Sequence, residues 1–267
     1  MKSAVSNKLI AVISIVLFLG VLEVNGLANT TILGGRTTGA VADAIPNLFV
    51  PAGLTFSIWG VIYLLLIAFV VYQTYWLFGA DENRTARLRP IGILFIVSCA
   101  LNITWLLSWQ YSLVGMSVVI MLAFLVTLIL AYLRLRAGSD RPRWVEYVFV
   151  YLPFSVYLGW ISVATIANVT ALLVTLGWNG FGAREGFWTV LMIGIALALA
   201  LTVLFSRRDP AYALVFVWAF LGIYIKRTAV GVVFVPEAAY AALTACLVSA
   251  AAATLILVMN IARNARR

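Results

Sequence analysis

Histidine does not occur anywhere in the 267 residues. That absence removes His-ligated zinc and haem sites and every Ser-His or Cys-His catalytic pair. Cysteine is almost as scarce: Cys99 and Cys246 lie far apart, each inside an apolar run, so no disulfide framework is readable. There is no Gly-rich phosphate loop, no paired-carboxylate motif and no metal-ligand spacing, and the reading is of a protein that is not an enzyme and needs no metal or resident cofactor. Charge is scarce too, at 10% of residues, against roughly a quarter in ordinary soluble domains. What charge there is sums to +9, but the basic residues are scattered at the ends of apolar runs rather than gathered on one polar element, which argues against nucleic acid as a partner.

What the chain has in abundance is apolar length. Hydrophobic residues make up 64% of it, more than a soluble fold could cover. Runs able to cross a hydrocarbon layer of about 30 Å recur along the whole sequence. Backbone groups in lipid must satisfy one another, and the runs lack the alternation of barrel strands, so the fold class is all-α, a polytopic helical membrane protein. Eight spans are expected, over about 9–26, 54–77, 90–111, 116–134, 145–176, 187–205, 211–225 and 237–262. With both termini cytoplasmic, the inner segments collect Lys2, Lys8, Arg84, Arg87, Arg89, Arg134, Arg136, Arg141, Arg143, Arg207, Arg208, Arg263, Arg266 and Arg267, 14 of the 18 basic residues. The positive-inside rule therefore predicts a multi-pass protein of the cell membrane in that orientation. Lys2 and Lys8 followed by Leu9 to Leu22 fit either a retained first helix, the favoured reading, or a signal peptide ending near Gly26 to Ala28. Both leave the long polar loop from Leu27 to Val50 outside, where it is either a lid or a flexible linker.

Three rows of side chains within the spans could carry function. Phe56, Trp59, Tyr63 and Ile67 recur at three- and four-residue spacing, as do Asn102, Trp105 and Trp109 in the next span. Tyr157, Trp160, Ala164 and Asn168 form the third row, with a small residue where a ligand or a helix could approach. In the expected topology all three face the outer half of the bundle beneath the loop. Aromatic walls with a few amides and hydroxyls suit a flat, largely apolar ligand that needs few orienting hydrogen bonds. Against this stand two plainer readings: aromatics gather at membrane interfaces whatever the function, and asparagines serve as interhelical glue. Trp76, Trp144, Trp178 and Trp188 read as interface residues, and Glu23, Glu146 and Glu237 as snorkelling anchors near span ends.

Three stretches, FVPAGLTFSIWGVIY (49–63), ALNITWLLSW (100–109) and VYLGWISVATIAN (156–168), resemble in order and spacing the signatures of the TspO/MBR family, the tryptophan-rich sensory proteins related to the translocator protein. The third is the most specific, matching at Tyr157, Trp160, Ser162, Ala164, Thr165 and Asn168; Leu101, Asn102 and Trp105 match the second signature, and Pro51, Trp59 and Tyr63 the first. The sequence departs from the family where Val156 replaces the proline of a Pro-Tyr pair and where Gly53 stands at a tryptophan position. The resemblance covers about 9–176 and implies a five-helix core over 1–176, with 27–53 as its outer lid. Residues 177–267 then form a three-helix extension like that of longer family members.

The resemblance also implies a pocket for a tetrapyrrole such as protoporphyrin, or a similar planar hydrophobic ligand, serving transport or stress sensing. Its expected lining is Pro51, Phe56, Trp59, Tyr63, Asn102, Trp105, Trp109, Tyr157, Trp160, Ala164 and Asn168. Two rival readings are a secondary transporter of another small solute, which lacks the expected internal repeat and intramembrane charge, and a scaffold whose extra helices dock a partner protein. Expected partners are the bilayer and the small ligand. Small residues such as Gly194 and Ala198 would serve a homodimer or intramolecular packing equally.

Overall fold

The computed structural model describes residues 2–79, 81–138, 143–232 and 234–265, all but the outermost with their side chains. Arg141, Arg266, Arg267 and most of the punctuation at 138–142 lie outside the described residues, as does the Lys2 side chain. In order, the helices are α1 (Lys2–Asn29), α2 (Thr38–Asp43), a 3-10 segment (Gly53–Ser57), α3 (Ile58–Phe78), α4 (Glu82–Gln110), α5 (Val114–Gly138) and α6 (Trp144–Glu146). A π turn over Tyr147–Tyr151 joins α6 to α7 (Leu152–Thr175), and a 3-10 turn at Gly180–Gly182, α8 (Glu185–Arg207), α9 (Pro210–Thr228) and α10 (Pro236–Ala265) follow. Among the described residues, eight helical stretches are long and apolar enough to cross a membrane, and there is no strand. The all-α polytopic class is thereby established, including the short span expected at 211–225, which runs over Pro210–Thr228.

The ends of these helices follow from their residues. Asp81 accepts a hydrogen bond from the Arg84 amide at 3.0 Å, so α4 starts eight residues before the expected apolar run and carries Pro90 inside it. Asp209 caps α9 by accepting from the Tyr212 amide, with Pro210 in the first turn where its missing N–H costs nothing. The π turn precedes Pro153, whose ring would crowd the carbonyl of Phe149; the wider turn accommodates it.

The chain forms two compact units. The first comprises Met1–Val41 and Trp59–Leu158. In it α4 packs on α1 and α5, and Phe18, Phe69, Phe95 and Phe154 form a ring cluster with centroids 4.9–6.4 Å apart. Gly92 lets α4 approach closely: a Cβ there would sit 2.8 Å from Ile10 Cγ2 and 2.9 Å from Gln73 Oε1. Gln73 is fully buried and donates to Ser14 Oγ at 2.9 Å, an interhelical bond of the kind that substitutes for hydrophobic drive in lipid. Leu9, Val12, Val16 and Leu19 on α1, and Val119, Leu122, Val126 and Leu130 on α5, are exposed apolar stripes at helical spacing, the faces that lipid covers.

The second unit comprises Ala42–Ile58 and Gly159–Arg267. Here α9 packs on α8 and α10, and Leu204, Ala213, Ala253 and Ile256 form a small core. Gly159 allows close contact with α9, since a Cβ would lie 3.0 Å from Val215 Cβ and 3.1 Å from the Tyr212 carbonyl oxygen.

Candidate ligand-binding site

Six of the residues singled out from the sequence lie in the first unit, and they meet. Trp59 stacks on Tyr63 with centroids 5.5 Å apart, leans on Trp105 at 6.2 Å and meets Tyr157 edge-on at 6.2 Å. Trp105 stacks in turn on Trp109 at 6.3 Å. Asn102 lies at the centre with no solvent exposure. Its Oδ1 accepts from Asn25 Nδ2 at 2.9 Å and its Nδ2 donates to Tyr157 Oη at 3.2 Å, while Asn25 Nδ2 also reaches the Val21 carbonyl at 2.9 Å. Helices α1, α3, α4 and α7 are thereby tied at one point. Asn25 escaped the sequence reading because it stands at the polar margin of the first apolar run, where an amide needs no explanation.

The row on α3 departs from expectation. Ile67 is 43% exposed, and the inward face of the helix is Trp59, Ile62, Leu66, Phe69 and Gln73. Two four-residue steps from Trp59 to Ile67 rotate by about 80° at 100° per residue, enough to carry the last member out of the bundle. Phe56 belongs to the 3-10 segment, so it is outside the register of α3 altogether.

The loop after α1 is held to this cluster. Gln110 Nε2 donates to the carbonyls of Leu33 at 2.9 Å and Arg36 at 2.8 Å, and Trp109 Nε1 donates to that of Thr38 at 3.3 Å. Gly34 has φ +68, and a Cβ on it would fall 2.7 Å from the Gln110 carbonyl oxygen, so the close approach requires glycine. The expected lid stretch therefore includes a short helix, α2, and its first part is pinned by side chains from the end of α4.

The remaining candidates lie in the second unit. Pro51 is buried, and Phe56 meets Trp160 edge-on at 6.0 Å. Ala164 is half-buried and Asn168 is 3% exposed. The 3-10 segment is held by α9: Ala52 N donates to the Gly222 carbonyl at 3.0 Å and Trp218 Nε1 to that of Thr55 at 2.9 Å. Tyr212 Oη donates to Ser162 Oγ at 3.1 Å, and Lys226 pairs with Asp43.

The second unit also holds a cavity of about 360 Å³ that the sequence reading did not find. Leu48 and Phe49, Leu173 and Val174 near the end of α7, and Met192 on α8 supply apolar walls, and Trp178 and Trp188 line it as well. These two tryptophans were expected as simple interface residues. Their rings pack 4.7 Å apart and Trp188 Nε1 donates to the Gly180 carbonyl at 2.9 Å. Trp144 is 75% exposed. Glu237 lies against the first turn of α8, so close to Gly186 that a Cβ there would fall on its carboxylate.

Fold and cluster together define a class: a multi-pass helical membrane protein in which tryptophans, tyrosines and amides from several spans are packed around one buried asparagine. The chain belongs to the TSPO-like protein family, whose model matches residues 11–259. The match runs on through α8 and α9 and most of α10, so these helices fall within the family pattern rather than beyond a resemblance ending at 176. No curated protein and no solved structure matches the chain.

Proposed function

We propose that this TspO-type membrane protein binds a tetrapyrrole or a comparable planar hydrophobic molecule at the Trp59, Tyr63, Trp105, Trp109 and Tyr157 cluster, for transport or stress sensing rather than catalysis. The observation that supports the reading is Asn102, fully buried among these rings and bonded to both Asn25 and Tyr157. A buried amide in a membrane interior costs free energy unless it is paired, and once paired it orients what packs on it. The rings stack on one another, with Trp59–Tyr63 centroids 5.5 Å and Trp105–Trp109 centroids 6.3 Å apart. A flat guest between two such rings needs about 7–8 Å, two carbon contacts of ~3.5–4 Å each, so binding parts the rings. The topology that goes with this reading puts both termini in the cytoplasm and the pinned loop outside, as the basic residues direct.

Titration of the purified protein with protoporphyrin tests it. Tryptophan fluorescence is expected to quench saturably at micromolar concentration or below, with the midpoint moved at least tenfold in a Trp59→Phe, Trp105→Phe double variant. A flat titration, or an unchanged midpoint in the variant, would refute the assignment.

A further inference from the structure

We propose that the cavity of the second unit is a separate binding site for a small organic cation, an aromatic or alicyclic ammonium. It shares no residue with the cluster around Asn102, and none of its lining was among the ligand-binding residues expected from the sequence. The volume, about 360 Å³, falls within the ordinary range for small-molecule sites. Its walls are apolar at Leu48, Phe49, Leu173 and Met192, with the indoles of Trp178 and Trp188 alongside.

Charge sets the ligand class. Among the described residues, Glu185 is the only charged side chain in the lining, and no basic residue joins it. Several lining donors are already spent on the protein: Thr170 Oγ1 on the Ile166 carbonyl at 2.8 Å, Thr189 Oγ1 on that of Glu185 at 3.0 Å, and Trp188 Nε1 on that of Gly180 at 2.9 Å. Those hydroxyls retain only acceptor capacity toward the cavity. A carboxylate, hydroxyl lone pairs and two indoles attract positive charge, and indole faces bind ammonium groups through their quadrupole. A neutral apolar molecule would gain from the walls alone, and an anion would meet Glu185 unfavourably.

The turn that carries the indoles is fixed by its backbone. α7 ends with Trp178 N donating to the Leu173 carbonyl and Gly177 N to that of Val174, both at 3.0 Å, with Gly177 at φ +66. Gly180, at φ +62, has room for no Cβ, because one would fall 2.7 Å from Trp188 Nε1. The aromatic pair is thus held in place before any ligand arrives, which lowers the cost of binding.

The probe is benzyltrimethylammonium, compared with its uncharged carbon isostere neopentylbenzene and with phenylmethanesulfonate, on full-length protein in nanodiscs by ligand-observed NMR titration. Site binding is the part removed by filling the cavity with Leu173→Trp, or with Ala183→Phe should the first variant fail to elute as the folded protein. Saturable binding of the cation is expected, at least tenfold tighter than that of the sulfonate, and Glu185→Gln is expected to weaken it roughly five- to tenfold while leaving the isostere unchanged. The inference is overturned if the cation shows no saturable binding, if the filling variants bind it as well as the wild type does, or if Glu185→Gln changes nothing. Protoporphyrin quenching in the Glu185→Gln variant is expected to match the wild type, so the fate of this site and that of the aromatic cluster are read separately.

Discussion

The aromatic cluster of the first unit and the cavity of the second both draw on tryptophans and asparagines, and they differ in how much space they leave. Around Asn102 the rings meet one another at 5.5–6.3 Å and the amide groups pair among themselves. Between Leu173, Trp188 and Met192 about 360 Å³ stays open. Helix association in lipid rests on van der Waals contact and interhelical hydrogen bonds, because hydrocarbon offers apolar side chains no less than the protein does. A cluster that uses both is a stabilising element that a guest would have to part; a cavity that forgoes contact gives up stability and keeps space open.

If that distinction holds, truncation should cost far more in the first region. Trp105→Ala removes a 6% exposed indole stacked on Trp109 and tilted against Trp59, and is expected to destabilise by about 3–5 kcal/mol. Met192→Ala, at a half-buried wall that already borders open space, should cost no more than about 1 kcal/mol, since few contacts are there to be lost. Denaturant titration in mild detergent reads both. Equal losses would mean that the cavity wall is as tightly held as the cluster, and the contrast would fail.

The polar centre gives the next largest effect. Asn102→Ala removes the acceptor of one Asn25 Nδ2 hydrogen, leaving that nitrogen its bond to the Val21 carbonyl, and also the donor to the Tyr157 hydroxyl oxygen, and is expected to cost about 1–3 kcal/mol. The double variant Asn25→Leu, Asn102→Leu removes both amides and should recover part of that loss, because apolar replacements leave fewer orphaned groups. Reversible unfolding of the single and double variants measures the coupling. A double variant no more stable than Asn102→Ala would show that the amides act independently.

The fold was legible because a span is a property of length and hydropathy, both local: even Pro210–Thr228 announced itself. Boundaries were less legible where polar residues continue a helix, as in the two turns of α4 before Pro90, whose start is set by the Asp81 cap. Of the site, Asn102, Trp59, Trp105 and Tyr157 could be read because their types are costly or distinctive within apolar runs. Asn25 and Gln110 could not, since each stands near the end of a span where amides are unremarkable, and their partners, Asn102 and the Leu33 and Arg36 carbonyls, are 74–77 residues away in sequence. The cavity was beyond reach for the same reason: residues 46–49, the end of α7 and the start of α8 have no shared period, and only the turn at Gly177 to Gly180 joins the last two.

The smallest contrast lies at two helix ends. α4 closes with Leu113 N donating to the Ser108 carbonyl at 2.8 Å and Ser112 N to that of Trp109 at 3.0 Å, the same pair of bonds that closes α7. The left-handed position is Ser112 in the first case, at φ 57, and Gly177 in the second, at φ 66. An L side chain in that conformation brings its Cβ against the following carbonyl, a cost that glycine avoids, although glycine also gains entropy in the unfolded chain. Ser112→Gly is therefore expected to stabilise by about 0.5 kcal/mol, and Gly177→Ser to destabilise by about 1 kcal/mol. The serine hydroxyl also receives a long 3.5 Å contact from Arg36, too weak to reverse the sign. Thermal unfolding of the two variants side by side decides it: opposite shifts are expected, and shifts of the same sign would mean that the side chains, not the backbone, govern these turns.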